Sequence, residues 1–172
     1  MWSTVRYDDA GWAIDPVTAW PLVDCWSLLA PDDVSRMAEG GWKRNAERFF
    51  NTELCLLTPK HYVDAMPRAD FGIVKIASTE VRLLTMPIDS AVLRAGEAAA
   101  VAIGGAGFDV LVKRTKRLWQ VHARVEEGDP RAPLLLTAVL ASVLLAPVLP
   151  PEGGQIFGVK GCRERLMVQG WR

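Results

Sequence analysis

The sequence has few cysteines and histidines, and none of them stands at a spacing typical of a metal site. Three cysteines and two histidines occur in 172 residues (Cys25, Cys55, Cys162, His61 and His122), and no CxxC or HxxxH pair is present. The sequence therefore predicts no metal site and no cofactor. An odd number of scattered cysteines also argues against a disulfide-stabilised secreted domain and favours a reducing cytoplasm.

The sequence also lacks an excess of charge of either sign. Lysine plus arginine and aspartate plus glutamate both number 20, so the formal net charge is zero. A protein-wide field that would attract nucleic acid or an anionic membrane is therefore absent, and nucleic-acid binding is disfavoured. Near-zero net charge weakly favours self-association. Arginine outnumbers lysine by 14 to 6, a bias typical of a GC-rich bacterial gene.

No apolar run is long enough to cross a membrane. The longest uncharged run, residues 132–151, is interrupted by Pro133 and Pro147, and the 13 residues between these prolines would rise only about 20 Å as a helix. Residues 1–9 show neither the basic region nor the apolar region of a secretory signal. We therefore expect a cytoplasmic protein without a membrane segment, in which the uncharged run forms a buried helix.

The remaining patterns predict a single α+β domain over residues 1–172. An apolar fraction of 50% at this length is enough to bury a core without disulfides. Alternation and turn residues predict an opening hairpin at 2–14, strands at 52–57, 71–77 and 80–86, a hairpin at 108–125, and short strands at 155–160 and 165–169. Helical spacing predicts helices at 30–49, 59–66 and 87–103, in addition to the apolar run. This mixed order favours a mostly antiparallel sheet with helices packed mainly on one face.

The densest positive charge lies on the predicted hairpin at 108–125 and comprises Lys113, Arg114, Lys116 and Arg117. These side chains are candidates for binding phosphate or another anion. Alternation along the strand places Trp119 on the face opposite His122 and Arg124, which argues against base stacking by Trp119 beside them. The alternative, which we favour, is an exposed strand edge whose cations prevent pairing with another sheet.

Three side chains are weak candidates for catalysis, namely His61, His122 and Cys162. His61 and Asp64 would share one face of a short helix, as a base and its orienting group do. Cys162 has cationic neighbours in sequence, which favour a reactive thiolate. No motif joins any of these residues to a catalytic partner, so a solvated helix end and a non-catalytic thiol are the ordinary interpretations.

The apolar run offers a second candidate surface, in which Thr137, Leu140, Ala141 and Leu144 form an interface between copies of the chain. The alternative is a central helix covered within one chain. Together these observations favour a non-catalytic binding or assembly module of a bacterial cytoplasmic system, whose partner is a second copy of itself or another protein. The other function class is a small enzyme or ligand-binding protein for an anionic (phosphorylated or carboxylate) metabolite. Its site would lie between the basic strands of the predicted hairpin at 108–125 and the glycine-rich loop at 104–107. We otherwise interpret this loop as a helix end.

Overall fold

The computed structural model describes residues 25–32, 39–62, 69–88, 90–123, 128–152 and 154–171. The strands of this part of the chain are β1 (Cys25–Ala30), β2 (Leu54–Tyr62), β3 (Ala69–Ile76), β4 (Thr79–Pro87), β5 (Arg117–Ala123) and β6 (Val148–Leu149). The helices are α1 (Glu39–Phe50), α2 (Ser90–Ala102), α3 (Phe108–Lys113), α4 (Ala132–Leu144) and α5 (Val159–Val168). The strands form one antiparallel sheet in the order β2-β3-β4-β5-β1-β6. The predicted α+β class with a mostly antiparallel sheet is confirmed.

Both faces of the sheet are covered by helices. One face, which we call the α4 face, packs Leu28, Leu83 and Trp119 against α1, α4 and α5. The opposite α2 face packs Leu29 and Leu118 against α2 and α3. Three of the five described helices therefore lie on the α4 face, in agreement with the prediction that helices pack mainly on one side.

Helix α4 forms the centre of the larger core. Every residue from 132 to 141 is buried, because the sheet covers one side of the helix while α1 and α5 cover the rest. Thr137, Leu140 and Ala141 are among these buried residues, and Leu144 is half-buried. The first three are therefore covered by side chains of the same chain. None of the described helices is both long and apolar enough to span a membrane.

The hairpin of β3 and β4 shows how local sequence sets the fold. Ala77 and Ser78 both adopt left-handed conformations, with φ of 50° and 56°, as a two-residue hairpin turn requires. The turn lies one residue earlier than predicted, and Thr79 begins β4. From this turn, alternation sends Val74, Ile76 and Val81 to the α4 face, where they join the core.

Several predicted elements are wrong, and each error has a physical cause. The first half of the predicted hairpin at 108–125 is helix α3, because a short apolar run fits either a strand or a buried helix. The strands predicted at 155–160 and 165–169 are replaced by α5, whose buried Cys162 and Leu166 follow helical spacing. Only Phe157 in this stretch makes a sheet-like bridge, to Val148.

Two further corrections concern the sheet. The helix predicted at 59–66 is strand β2 as far as Tyr62, where Pro59 is tolerated because β2 is an edge strand. Strand β1 was not predicted, since a central strand buried on both faces shows no alternation. The helix predicted at 30–49 is present as α1 only from Glu39, since Ala30 ends β1 and residues 33–38 lie outside the described residues. The helix predicted at 87–103 is present as α2. The predicted opening hairpin at 2–14 lies outside the described residues.

Candidate functional site

A groove separates the end of α1 from α5 and encloses about 590 Å³. We call it the arginine–aromatic groove, and its described lining residues are Arg48, Phe49, Phe50, Asn51, Arg163, Leu166, Met167 and Trp171. The large apolar side chains on its walls remain accessible: Phe49 is 45% exposed and Met167 is 70% exposed. Exposed apolar surface bordered by polar groups marks binding sites in folded proteins.

Helical spacing explains why these side chains meet. In α1, Ala46 and Phe50 face the core at a spacing of four residues, which turns the adjacent Arg48 and Phe49 outward. In α5, Cys162 and Leu166 face the core in the same way. Arg163 directly follows Cys162 and Met167 directly follows Leu166, so both lie on one flank of α5. That flank faces α1, so residues far apart in sequence line a single groove.

Trp171 closes one end of the groove after α5 ends. Gly170 adopts a left-handed conformation with φ of 84°, and the Trp171 amide donates to the Leu166 carbonyl at 2.9 Å, a pattern that reverses the chain at a helix end. The indole Nε1 of Trp171 donates to the Phe50 carbonyl at 2.7 Å. The Arg131 guanidinium lies over the indole, 4.8 Å from the ring centre, and Asp129 holds it by a salt bridge of 2.8 Å. The wall formed by Trp171 is therefore fixed from several sides.

Two arginines give the groove its charge. The Arg163 guanidinium lies 5.3 Å from the Phe50 ring centre and 5.7 Å from that of Phe49, and the Arg48 guanidinium lies 5.4 Å from the Phe49 ring centre. None of the described residues that line the groove is acidic. Within the described part of the chain, neither guanidinium has a carboxylate partner. In contrast, Arg165 on another face of α5 binds Glu152 at 2.9 Å. The groove thus combines apolar area with available hydrogen-bond donors.

The structure separates the predicted anion-binding residues. Lys113, Arg114 and Lys116 are exposed at the end of α3 and in the link to β5, where positive charge also stabilises a helix C-terminus. Arg117 is buried on β5, and its guanidinium donates to the Thr85 hydroxyl at 2.5 Å and to the Thr85 carbonyl at 3.2 Å. Three of the four cations therefore remain available to an anion, while the fourth belongs to the core. The loop at 104–107 joins the end of α2 to α3. Its glycines adopt positive φ, as residues that end a helix commonly do.

The predicted catalytic residues do not come together. His61 lies on β2 opposite Asp70, and Asp64 lies outside the described residues. Cys162 faces the core from α5, and burial raises the pKa of its thiol to about 12 despite the nearby Arg165. The thiol is therefore neutral and shielded from solvent, because burial outweighs the charge of Arg165.

His122 instead has a partner that the sequence did not suggest. The Cys25 Sγ lies 3.6 Å from the His122 Nε2, and these two side chains are 0% and 1% exposed. Arg82 stands opposite His122 on β4. Burial, and to a lesser extent the charge of Arg82, lowers the pKa of His122 to about 3. The imidazole is therefore neutral.

The Cys25–His122 contact belongs to a buried polar row on the α2 face. Cys25, His122 and Arg82 occupy opposing positions on β1, β5 and β4, and Ser27 opposes Gln120 next to them. The Ser27 hydroxyl is buried without a hydrogen-bond partner in the described part of the chain. Alternation along β5 correctly separates His122 from Trp119, but it does not reveal that both faces are buried. No three potential metal ligands converge among the described residues.

Comparisons of the chain with protein-family models, with curated proteins and with solved structures find no match. Three features of the structure then bear on function. They are the arginine–aromatic groove, the buried Cys25–His122 contact and the basic loop at 113–116. A fold class alone does not decide between them, because one architecture serves many activities.

Proposed function

We propose that this protein is a non-catalytic binding module that docks another protein at the arginine–aromatic groove. One observation carries the proposal: Phe49 and Met167 remain 45% and 70% exposed beside two guanidinium groups that have no carboxylate partner among the described residues. Aromatic residues, methionine and arginine are the residue types enriched in protein interfaces. Arginine and aromatic side chains also dominate the energy of such contacts.

The groove replaces α4 as the surface available to a partner. The residues of α4 predicted to form an interface are largely covered within one chain. The groove, in contrast, is preformed, because the wall residue Trp171 is held by its hydrogen bond to Phe50 and by Arg131. A preformed surface loses less conformational entropy on binding than one that must be ordered.

The alternative function, an enzyme or ligand-binding protein for an anionic metabolite, has one observation in its favour. A thiol and an imidazole lie 3.6 Å apart, which is the pairing that activates a cysteine nucleophile. Two features oppose it. Cys25 and His122 are fully buried, and the basic loop at 113–116 precedes β5 whereas His122 lies near the end of that strand. The candidate anion site and the thiol therefore do not form one site.

The test is selection of a random dodecapeptide display library on the purified protein. Met167→Asp places a charge in the groove, and Val101→Asp is its matched control. Val101 is 77% exposed and, like Met167, is the penultimate residue of its helix, but it lies on α2. We expect selected peptides to bind the wild type and Val101→Asp but not Met167→Asp. Failure to select any peptide, or equal binding to both variants, would contradict the proposal.

A further inference from the structure

We infer that the occupant of the arginine–aromatic groove is an acidic segment of a partner protein, rather than a second copy of this chain. This inference rests on the proposed function and names the chemistry of the partner. Carboxylates of the segment bind Arg48 and Arg163, and an adjacent apolar side chain covers Phe49 and Met167. Three features of the described residues support this occupant: the charge of the groove, the placement of its guanidinium groups and the lack of acids among the described lining residues.

The two guanidinium groups are positioned in advance for carboxylates. Arg163 lies over Phe49 and Phe50, and Arg48 lies over Phe49, at 5.3 to 5.7 Å from the ring centres. Contact with a ring restricts the long side chain while leaving the N–H groups of the guanidinium able to donate. A carboxylate accepts two such bonds from one arginine, which gives both strength and orientation. Less side-chain entropy is then lost when the partner binds.

The charge of the groove selects against a second copy. A symmetric dimer through this surface places the groove opposite itself, so the arginines of one chain approach those of the other. Because the described residues place no acidic side chain in the lining of the groove, none of them offsets that repulsion. Opposing like charges across an interface are unfavourable, whereas an acidic segment supplies the complementary charge.

The groove is also poorly suited to nucleic acid. Guanidinium groups already lie over Phe49 and Phe50, where a nucleotide base would stack in a single-strand binding site. Only two of the lining residues that the structure describes are cationic, and the whole chain has no net positive charge. Binding to a phosphate backbone depends on neutralising many phosphates. An acidic peptide, with one or two carboxylates next to an apolar side chain, fits these features better.

Peptides are first selected on the wild-type protein. Their affinity for the wild type is then compared with their affinity for charge-neutral variants. Arg48→Gln and Arg163→Gln remove one guanidinium each and keep most of the side-chain length. Arg94→Gln, an exposed arginine of α2, is the matched control. We expect the selected peptides to be rich in aspartate and glutamate. Arg163→Gln should weaken their binding about tenfold, which corresponds to about 1.4 kcal/mol. Arg94→Gln should leave the affinity unchanged.

The outcomes separate this inference from the proposed function. Selected peptides that lack acids, but still bind the wild type and not Met167→Asp, would overturn the inference and leave the binding module standing. Peptides that bind regardless of Met167→Asp would overturn both. A dimer in analytical ultracentrifugation that Met167→Asp dissociates would identify a second copy as the occupant. Fluorescence anisotropy with mixed single-stranded oligonucleotides is the last control, and binding abolished by Arg163→Gln would assign the groove to nucleic acid.

Discussion

Mild acid should destabilise this protein through His122. The imidazole is 1% exposed on β5, next to the Cys25 thiol and opposite Arg82. Burial is the main reason that its pKa falls from 6.5 to about 3, and the positive charge of Arg82 contributes further. In the unfolded chain the same imidazole titrates near its ordinary pKa. At mildly acidic pH, His122 is therefore protonated in the unfolded state but neutral in the folded state.

The size of the effect follows from linkage. Because the folded pKa is depressed, the stabilisation is fully present above pH 6.5 and is lost as the pH falls towards about 3. Each unit of pKa difference corresponds to about 1.4 kcal/mol, so the free energy of unfolding should fall by about 2 kcal/mol between pH 7.5 and pH 5. Carboxylates of ordinary pKa remain mostly ionised over this range, and the sequence has only two histidines. The interval therefore isolates histidine protonation.

The assay is urea unfolding followed by tryptophan fluorescence at several pH values between 7.5 and 5. His122→Gln should remove most of the pH dependence, whatever its effect on stability at neutral pH. His61→Gln is the control and should retain the loss of about 2 kcal/mol. Equal pH dependence in the wild type and in His122→Gln would refute the reasoning. The imidazole proton resonances provide a second measurement, and a His122 signal that titrates near pH 6.5 would refute it as well.

Two predictions concern the core and the thiols. Leu135→Ala removes a fully buried side chain of α4 and should cost about 3 kcal/mol of unfolding free energy in urea, whereas Leu145→Ala, at an exposed position after the helix, should cost less than about 0.5 kcal/mol. An equal loss of unfolding free energy in the two variants would contradict the position of α4 at the centre of the core. Iodoacetamide should label exposed Cys55 in the folded protein and reach Cys25 and Cys162 only after unfolding. Labelling of Cys25 as fast as Cys55 would favour the enzyme alternative.

Elements with strong local signals were predicted correctly. Helix α2 has a helical apolar pattern and a glycine-rich end, and α4 has an uncharged apolar run between prolines. The β3–β4 hairpin was found within one residue of its turn. The stretch at 108–113 was misassigned, because Val110 and Val112 alternate as in a strand while α3 packs Val112 against the α2 face. For a run this short, tertiary packing decides between the two structures.

Local sequence patterns are sufficient to predict the α+β class, an apolar helix at the uncharged run and the separation of Trp119 from His122 on opposite faces of one strand. These properties follow from local periodicity and turn chemistry, which act between near neighbours. In contrast, the contact of Cys25 with His122, 97 residues away, and the meeting of Arg48 and Arg163 in one groove are visible only in the folded chain. Both pairings depend on strand order and helix docking, which arise from packing among distant segments and leave no local pattern in the sequence.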